Sequence, residues 1–205
     1  MSCVEAAPIR NEHDILKEHS LDTVKAISMK LTAPYALMLF NCHGDFNTAV
    51  AVRTATCFSA QAVYTVGRRK FDRRPMVGAQ NYIHLERLGE IADPCAFFAE
   101  KNMFPVFIEQ GGVDIDEFDF RKLQGGESRG DGGGGGDGPI PCLIVGNECD
   151  GLPEEFMALF PDSPRLSISQ PGPIRSFNVA TACAMALHRM YNSYKTDVMG
   201  RYGLL

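Results

Sequence analysis

The chain has 205 residues, 45% of them hydrophobic, and a formal net charge of −5. That length and composition suit one domain with a sizeable core, and no run is long and apolar enough to cross a membrane. Seven cysteines without a C-x-x-C pair and five unclustered histidines argue against a zinc site or a disulfide framework. They point to a reducing, intracellular compartment, cytoplasmic by expectation.

Residues 1–33 are polar, with no basic-then-apolar signal pattern. Helical spacing of Ile15, Leu16, Leu21, Val24, Ile27 and Leu31 predicts an N-terminal helical extension lying on a main domain at 34–200. Residues 35–40, YALMLF, read as a buried strand between Pro34 and Asn41. Residues 47–59 have helical spacing, with Arg53 among small residues, and 62–66 read as the next strand. A tight β-α-β unit of this kind favours a parallel sheet.

Residues 67–74, GRRKFDRR, hold five cations and one acid. An isolated basic run is most often a solvated loop, but Arg68, Arg69, Lys70, Arg73 and Arg74 are also the chain's best candidates for phosphate contacts. The acidic global charge argues mildly the other way, since nucleic-acid binders usually carry a basic balance. Residues 77–93 are expected to mix loop and short helix. A helix is predicted over 94–101 with Pro94 at its first position, and a strand over 104–108. Residues 115–120 read as a short edge strand or an extended loop.

Residues 124–138 are low-complexity, with nine glycines in fifteen positions, and are expected to form a flexible insertion. A phosphate-cradling loop would need a Lys and a following helix, and neither is there. Strands are predicted over 141–145 and 165–168, with a helix from about Pro153 between them and a long helix from 176 to about 199. The sum is an α/β fold of about five strands, a mostly parallel sheet with helices on both faces. Ligands of such sheets bind beyond the carboxyl ends of the strands, where the polar loops 41–47, 109–112, 146–151 and 169–178 all fall.

Three stretches at those ends form a pattern: NTAVAVRTA at 47–55, LIVGNECDGL at 143–152 and ISQPGPIRSFNVATA at 168–182. In order and spacing they resemble the three motifs of the SpoU (TrmH-like) branch of the SPOUT superfamily of RNA methyltransferases. The resemblance covers about residues 35–192. It departs from the family at Gly44, Asp45 and Ala49, where Asn-Pro and Gly are usual, and at Ser169-Gln170, where Pro-Met is usual.

The resemblance implies a C-terminal deep trefoil knot, an exception to the rule against knots. It also implies S-adenosylmethionine bound in the knot loops and a homodimer with active sites at the interface. The reaction implied is methylation of a ribose 2′-hydroxyl in tRNA or rRNA, with tRNA ahead for a chain without an appended domain. Transfer from a sulfonium to a hydroxyl is an in-line displacement, so alignment matters most.

Carried over residue by residue, the catalytic candidates are Arg53, Asn47, Glu148, Ser176 and Asn178. Arg53 would grip a phosphate and orient the hydroxyl, because a guanidinium is not deprotonated in proteins. On bland readings, Arg53 is a surface cation, Asn47 a helix cap, Glu148 a solvated acid, and Ser176 and Asn178 caps. Ile108, Glu109, Val145, Gly146, Ile168, Gln170 and Phe177 would hold the cofactor, largely through backbone groups. No metal is expected. Two rivals remain: a non-catalytic RNA-binding relative, and a nucleotide-binding domain, which would need a G-x-G-x-x-G turn that residues 41–47 lack.

Overall fold

A computed structural model describes residues 12–42, 44–67, 71–123 and 138–201. Six strands form one sheet: β1 (Ala33–Phe40), β2 (Ala60–Val66), β3 (His84–Leu88), β4 (Met103–Asp114), β5 (Ile140–Val145) and β6 (Arg165–Ser167). Their order is β3-β2-β1-β5-β4-β6, and every pair is parallel.

The central strand is apolar throughout because both its faces are covered. Tyr35, Leu37 and Leu39 point into a core shared with α2 (Asp45–Cys57) and α5 (Val179–Asn192). Ala36 and Met38 point the other way, toward α3 (Pro94–Glu100) and α4 (Glu154–Ala158). Alternate side chains of one strand thus seed two cores, as strand geometry requires.

Local chemistry sets the helix ends. Ser20 caps α1 (Leu21–Lys30) by accepting from the Thr23 amide at 3.2 Å, and Asp93 caps α3 through the Ala96 amide at 2.9 Å. The N-terminal segment lies on the body, with Val24 buried and the Tyr82 hydroxyl donating to the Glu12 carboxylate. Residues 1–11 fall outside the described residues, as do 124–137 of the expected Gly-rich insertion.

Four expectations are corrected. The sheet has six strands rather than about five, because β3 occupies part of the expected loop at 77–93. Its sequence, HLERL, is polar since it is an edge strand, and charges such as Glu86 and Arg87 blunt an edge. Residues 115–120 take the loop form of the two expected, but β4 runs on to Asp114 rather than ending at 108, and a 3-10 turn follows at Phe120–Leu123. The predicted last helix is broken at 193–194 into α5 and α6 (Lys195–Arg201) and opens at Val179 rather than 176.

β4 does not stop at 108 because it bulges. Ile108 and Val113 both pair with Leu166, so residues 109–112, Glu-Gln-Gly-Gly, are extruded between them. Gly111 has a φ of 78°, and a Cβ on Gly112 would lie 2.4 Å from the Arg165 carbonyl oxygen. Only glycine allows that conformation and that approach. The bulge turns Glu109 and Gln110 outward at the carboxyl edge of the sheet.

Candidate active site

The loops after β1, β4, β5 and β6 meet at this edge. Asn47 lies in the first turn of α2, but it does not cap it; Gly44 is the cap residue. Its Nδ2 donates to Glu148 Oε1 at 2.8 Å, and its Oδ1 accepts from Asn178 Nδ2 at 3.0 Å. The Gly44 amide also points at Glu148 Oε1, at 3.4 Å. Glu148 therefore places its carboxylate at the N-terminus of α2, where the helix dipole favours an anion.

Asn178 has two roles. While its Nδ2 reaches Asn47, its Oδ1 caps α5 by accepting from Ala180 and Thr181 amides at 3.0 and 3.3 Å. Cap and site are thus one side chain. Asn178→Ala should lose about 1 kcal/mol from the cap and lower Tm by roughly 2–4 °C. Asn178→Asp keeps the capping oxygen and loses the donor to Asn47. It should retain Tm in a thermal melt yet impair activity, which separates the two roles.

Beside this relay lies a cleft of about 280 Å³. Ile108, Val145, Val179 and Ala182 supply its apolar lining, and loop 146–151 forms one wall. Arg175, Ser176 and Phe177 also line it. The loop is held tightly. Asn147 Oδ1 accepts from the Cys149 and Asp150 amides at 2.8 Å each, an Asx turn. Asn147 and Gly151 exchange backbone bonds at 3.2 and 3.3 Å, and Glu109 Oε2 accepts from the Leu152 amide at 3.1 Å.

Glycine is required twice here. A Cβ on Gly146 would lie 2.2 Å from the Gly151 carbonyl carbon. Gly151 has a φ of 69°, and a Cβ there would lie 2.5 Å from Glu109 Oε2. Beneath, the Cys42 thiol sits 3.8 Å from the Gly146 carbonyl oxygen. Burial, with the Glu148 charge adding to it, pushes that thiol up to about 12, so it stays a neutral donor.

Of the sequence candidates, Ile108, Glu109, Val145, Gly146, Glu148, Ser176 and Phe177 line the cleft, with Asn47 and Asn178 tied to it through Glu148. Ile168 and Gln170 are not among its lining residues. Ser176 is exposed and makes no hydrogen bond among the described residues.

Arg53 is exposed on α2, six residues past Asn47, about 120° around the helix and about 9 Å along it. It does not line this cleft, and among the described residues it has no ion pair. Besides Cys149, Gly151, Val179 and Ala182, four polar or charged cleft residues escaped the sequence candidates: Gln110, Asn147, Asp150 and Arg175. Only Asn147 carried a local signal, the tendency of Asn to bond to amides two and three residues on.

Arg74, one of the candidate phosphate contacts, is exposed. Its guanidinium is already engaged by Asp72, with Nη2 2.7 Å and Nε 2.9 Å from Oδ2. The Arg74 guanidinium holds the Asp72 carboxyl below the usual carboxylate range. The pair is exposed, so it contributes little to stability. Arg73 is exposed and without an acidic partner among the described residues; Arg68, Arg69 and Lys70 lie outside them. Among the described residues no cluster of His, Cys, Asp or Glu could hold a metal ion, and no helix is long and apolar enough to cross a membrane.

Residues 34–188 match the family described as SpoU rRNA Methylase. No curated protein matches the chain. Among solved structures, the A. aeolicus TrmH/SpoU tRNA modifying enzyme is 18% identical with a TM-score of 0.65, over 89% of this chain and 87% of that one. The AdoMet-bound rRNA methyltransferase from Sinorhizobium meliloti is 20% identical with a TM-score of 0.60, over 80% of this chain. The match spans 57% of the length of that protein. A protein solved for the 2-OH methylation of C/U34 on tRNA is 22% identical with a TM-score of 0.59, over 79% of this chain and 97% of that one. At these identities the likeness is one of fold.

Proposed function

The chain belongs to the SpoU rRNA methylase family, and from that premise we propose that it methylates a ribose 2′-hydroxyl in RNA, tRNA ahead of rRNA, using S-adenosylmethionine. The observation that carries this is the relay Asn178–Asn47–Glu148, which joins the three motif segments at the rim of one cleft.

The cleft suits the cofactor. Ile108, Val145 and Val179 offer apolar surface to an adenine, and the backbone beside Gly146 and Gly151 permits close approach. Glu109, Glu148 and Asp150 bring negative charge toward a cationic sulfonium. The bound cofactor supplies an electrophilic methyl group. The protein's part is alignment: Glu148 fixes the Asn47 amide, Asn47 fixes Asn178, and Asn178 fixes the start of α5 behind Ser176. The Ser176 hydroxyl is left to meet the ribose.

Arg53 holds a substrate phosphate in this scheme. Because it stands about 120° from Asn47 on α2, a second copy of the chain is the natural source of the Arg53 that serves each cleft. Exposed apolar side chains, Phe46 at 66% next to Asn47 in sequence and Ile174 at 75% in the loop before α5, suit a surface covered in a homodimer. A C-terminal trefoil knot belongs to the same proposal, supported by the family and by the all-parallel sheet.

Cys149 offers a direct probe of the cofactor. It is exposed on the cleft wall, whereas Cys42, Cys142 and Cys183 are buried, with thiols raised by burial. A maleimide at neutral pH should label Cys149 and spare those three, and S-adenosylmethionine should slow the Cys149 reaction. Labelling indifferent to cofactor would place the cofactor elsewhere. For the activity itself, 2′-O-methylation mapped across total RNA with and without the gene should lose a mark in tRNA or rRNA. An unchanged map would sink the proposal.

A further inference from the structure

Most arginines of the described chain are already engaged. Arg74, Arg121, Arg165 and Arg189 pair with Asp72, Asp119, Glu154 and Asp116, and Arg87 lies over the Phe71 ring. Arg53, Arg73 and Arg175 have no acidic partner among the described residues. Arg175 is the one of these three that lines the cleft. Its main chain is not loose there: Gln110 Nε2, on the β4 bulge, donates to the Arg175 carbonyl oxygen at 3.0 Å. The neighbouring residue on the bulge, Glu109, holds the opposite loop at Leu152. The bulge therefore fixes both loops, and through Gln110 it fixes the backbone of an exposed, unneutralised guanidinium next to Ser176.

A guanidinium held this way fits an oxyanion. Two sources are at hand, a phosphodiester of the RNA and the carboxylate of the cofactor's methionine part. Glu109, Glu148 and Asp150 line the cleft and repel a carboxylate there. RNA phosphates, by contrast, reach the cleft only at its exposed rim, where residues 171–178 are all exposed. Building on the RNA methylation proposed above, we infer that Arg175 is an RNA phosphate-binding residue at the cleft mouth and that Gln110 is its positioning residue.

The test titrates an unmodified tRNA transcript pool against full-length protein over a range of KCl, with S-adenosylmethionine affinity measured in parallel by calorimetry. Arg175→Ala should weaken RNA binding at least about tenfold and make the slope of log K against log salt shallower by about 0.7–0.9. Cofactor affinity should not change. Arg175→Lys should keep the slope while losing affinity, since it retains charge without the fork. Gln110→Ala should weaken RNA binding less than Arg175→Ala, again with the slope kept.

If Arg175→Ala weakens the cofactor and leaves the RNA slope intact, the oxyanion is the carboxylate and the inference is overturned. If neither moves, Arg175 is a plain surface cation. A wild type that binds no RNA overturns the RNA proposal together with this one, whereas a wild type that binds RNA as tightly as Arg175→Ala overturns this inference alone.

Discussion

Arg53→Ala is expected to cut methyl transfer at least about a hundredfold while leaving S-adenosylmethionine affinity and thermal stability unchanged. The side chain is exposed and makes no ion pair among the described residues, so its loss removes nothing the fold depends on. It does not line the cleft, so the cofactor should not sense it. On the proposed role, what disappears is the grip that orients the ribose, a contact made with the RNA. Single-turnover transfer and cofactor titration, run side by side, check both halves. Loss of cofactor binding in this variant would show that Arg53 has been given the wrong role.

The homodimer proposal adds a sharper form of this experiment. If each cleft takes Arg53 from the other copy, mixing Arg53→Ala with a cleft-defective variant should restore part of the activity in mixed dimers, because one of their two sites has both parts intact. No recovery on mixing would place Arg53 and its cleft in the same chain.

Gly146→Ala is expected to do damage of another kind, to the pocket itself. The added methyl would lie 2.2 and 2.4 Å from the Gly151 carbonyl carbon and oxygen and 2.5 Å from the Leu152 amide nitrogen. All three are backbone atoms, pinned by the Asn147–Gly151 bonds and by Glu109. They yield only by opening the loop. Overpacking of this sort costs about 1–3 kcal/mol, roughly 2–4 °C of Tm per kcal/mol in a chain of this size. Cofactor binding should fall with it, because the displaced residues are the cleft wall. Gly172→Ala is the control: nothing lies within 4 Å of a Cβ there, and calorimetry should find it silent. An unaltered melt and cofactor isotherm for Gly146→Ala would mean that the loop is far softer than its bonding implies.

How far the sequence could be read depended on whether a feature was local. The strand at 35–40 announced itself as an apolar run because two cores claim its two faces. β3 did not, because an edge strand with Glu86 and Arg87 resembles a loop. From sequence the bulge at 109–112 reads as the end of a strand, since Gly-Gly signals a stop unless Leu166 is seen pairing on both sides of it. The break at 193–194 in the last helix lies in a stretch, Asn-Ser-Tyr, without Pro or Gly to mark it.

At the site, the motifs pointed to Asn47, Glu148 and Asn178, but their hydrogen bonds join positions 101 and 131 residues apart and have no local signature. Nor could the sequence show that Asn178 caps α5 with one atom and holds Asn47 with another. Nor does the basic run reveal that Arg74 is paired with Asp72, two residues away.

Alkali separates transfer of a methyl group to a ribose hydroxyl from transfer to a base. Alkaline cleavage of RNA needs a free 2′-hydroxyl, so a methylated ribose protects its linkage. The protein is incubated with methyl-labelled S-adenosylmethionine and RNA from cells lacking the gene, and the RNA is then hydrolysed in alkali. Ribose methylation predicts label in alkali-resistant dinucleotides, lost when Arg53 is replaced by alanine. Label confined to mononucleotides would mean that a base is the acceptor, and no label in RNA would mean that the chain is not the methyltransferase described here.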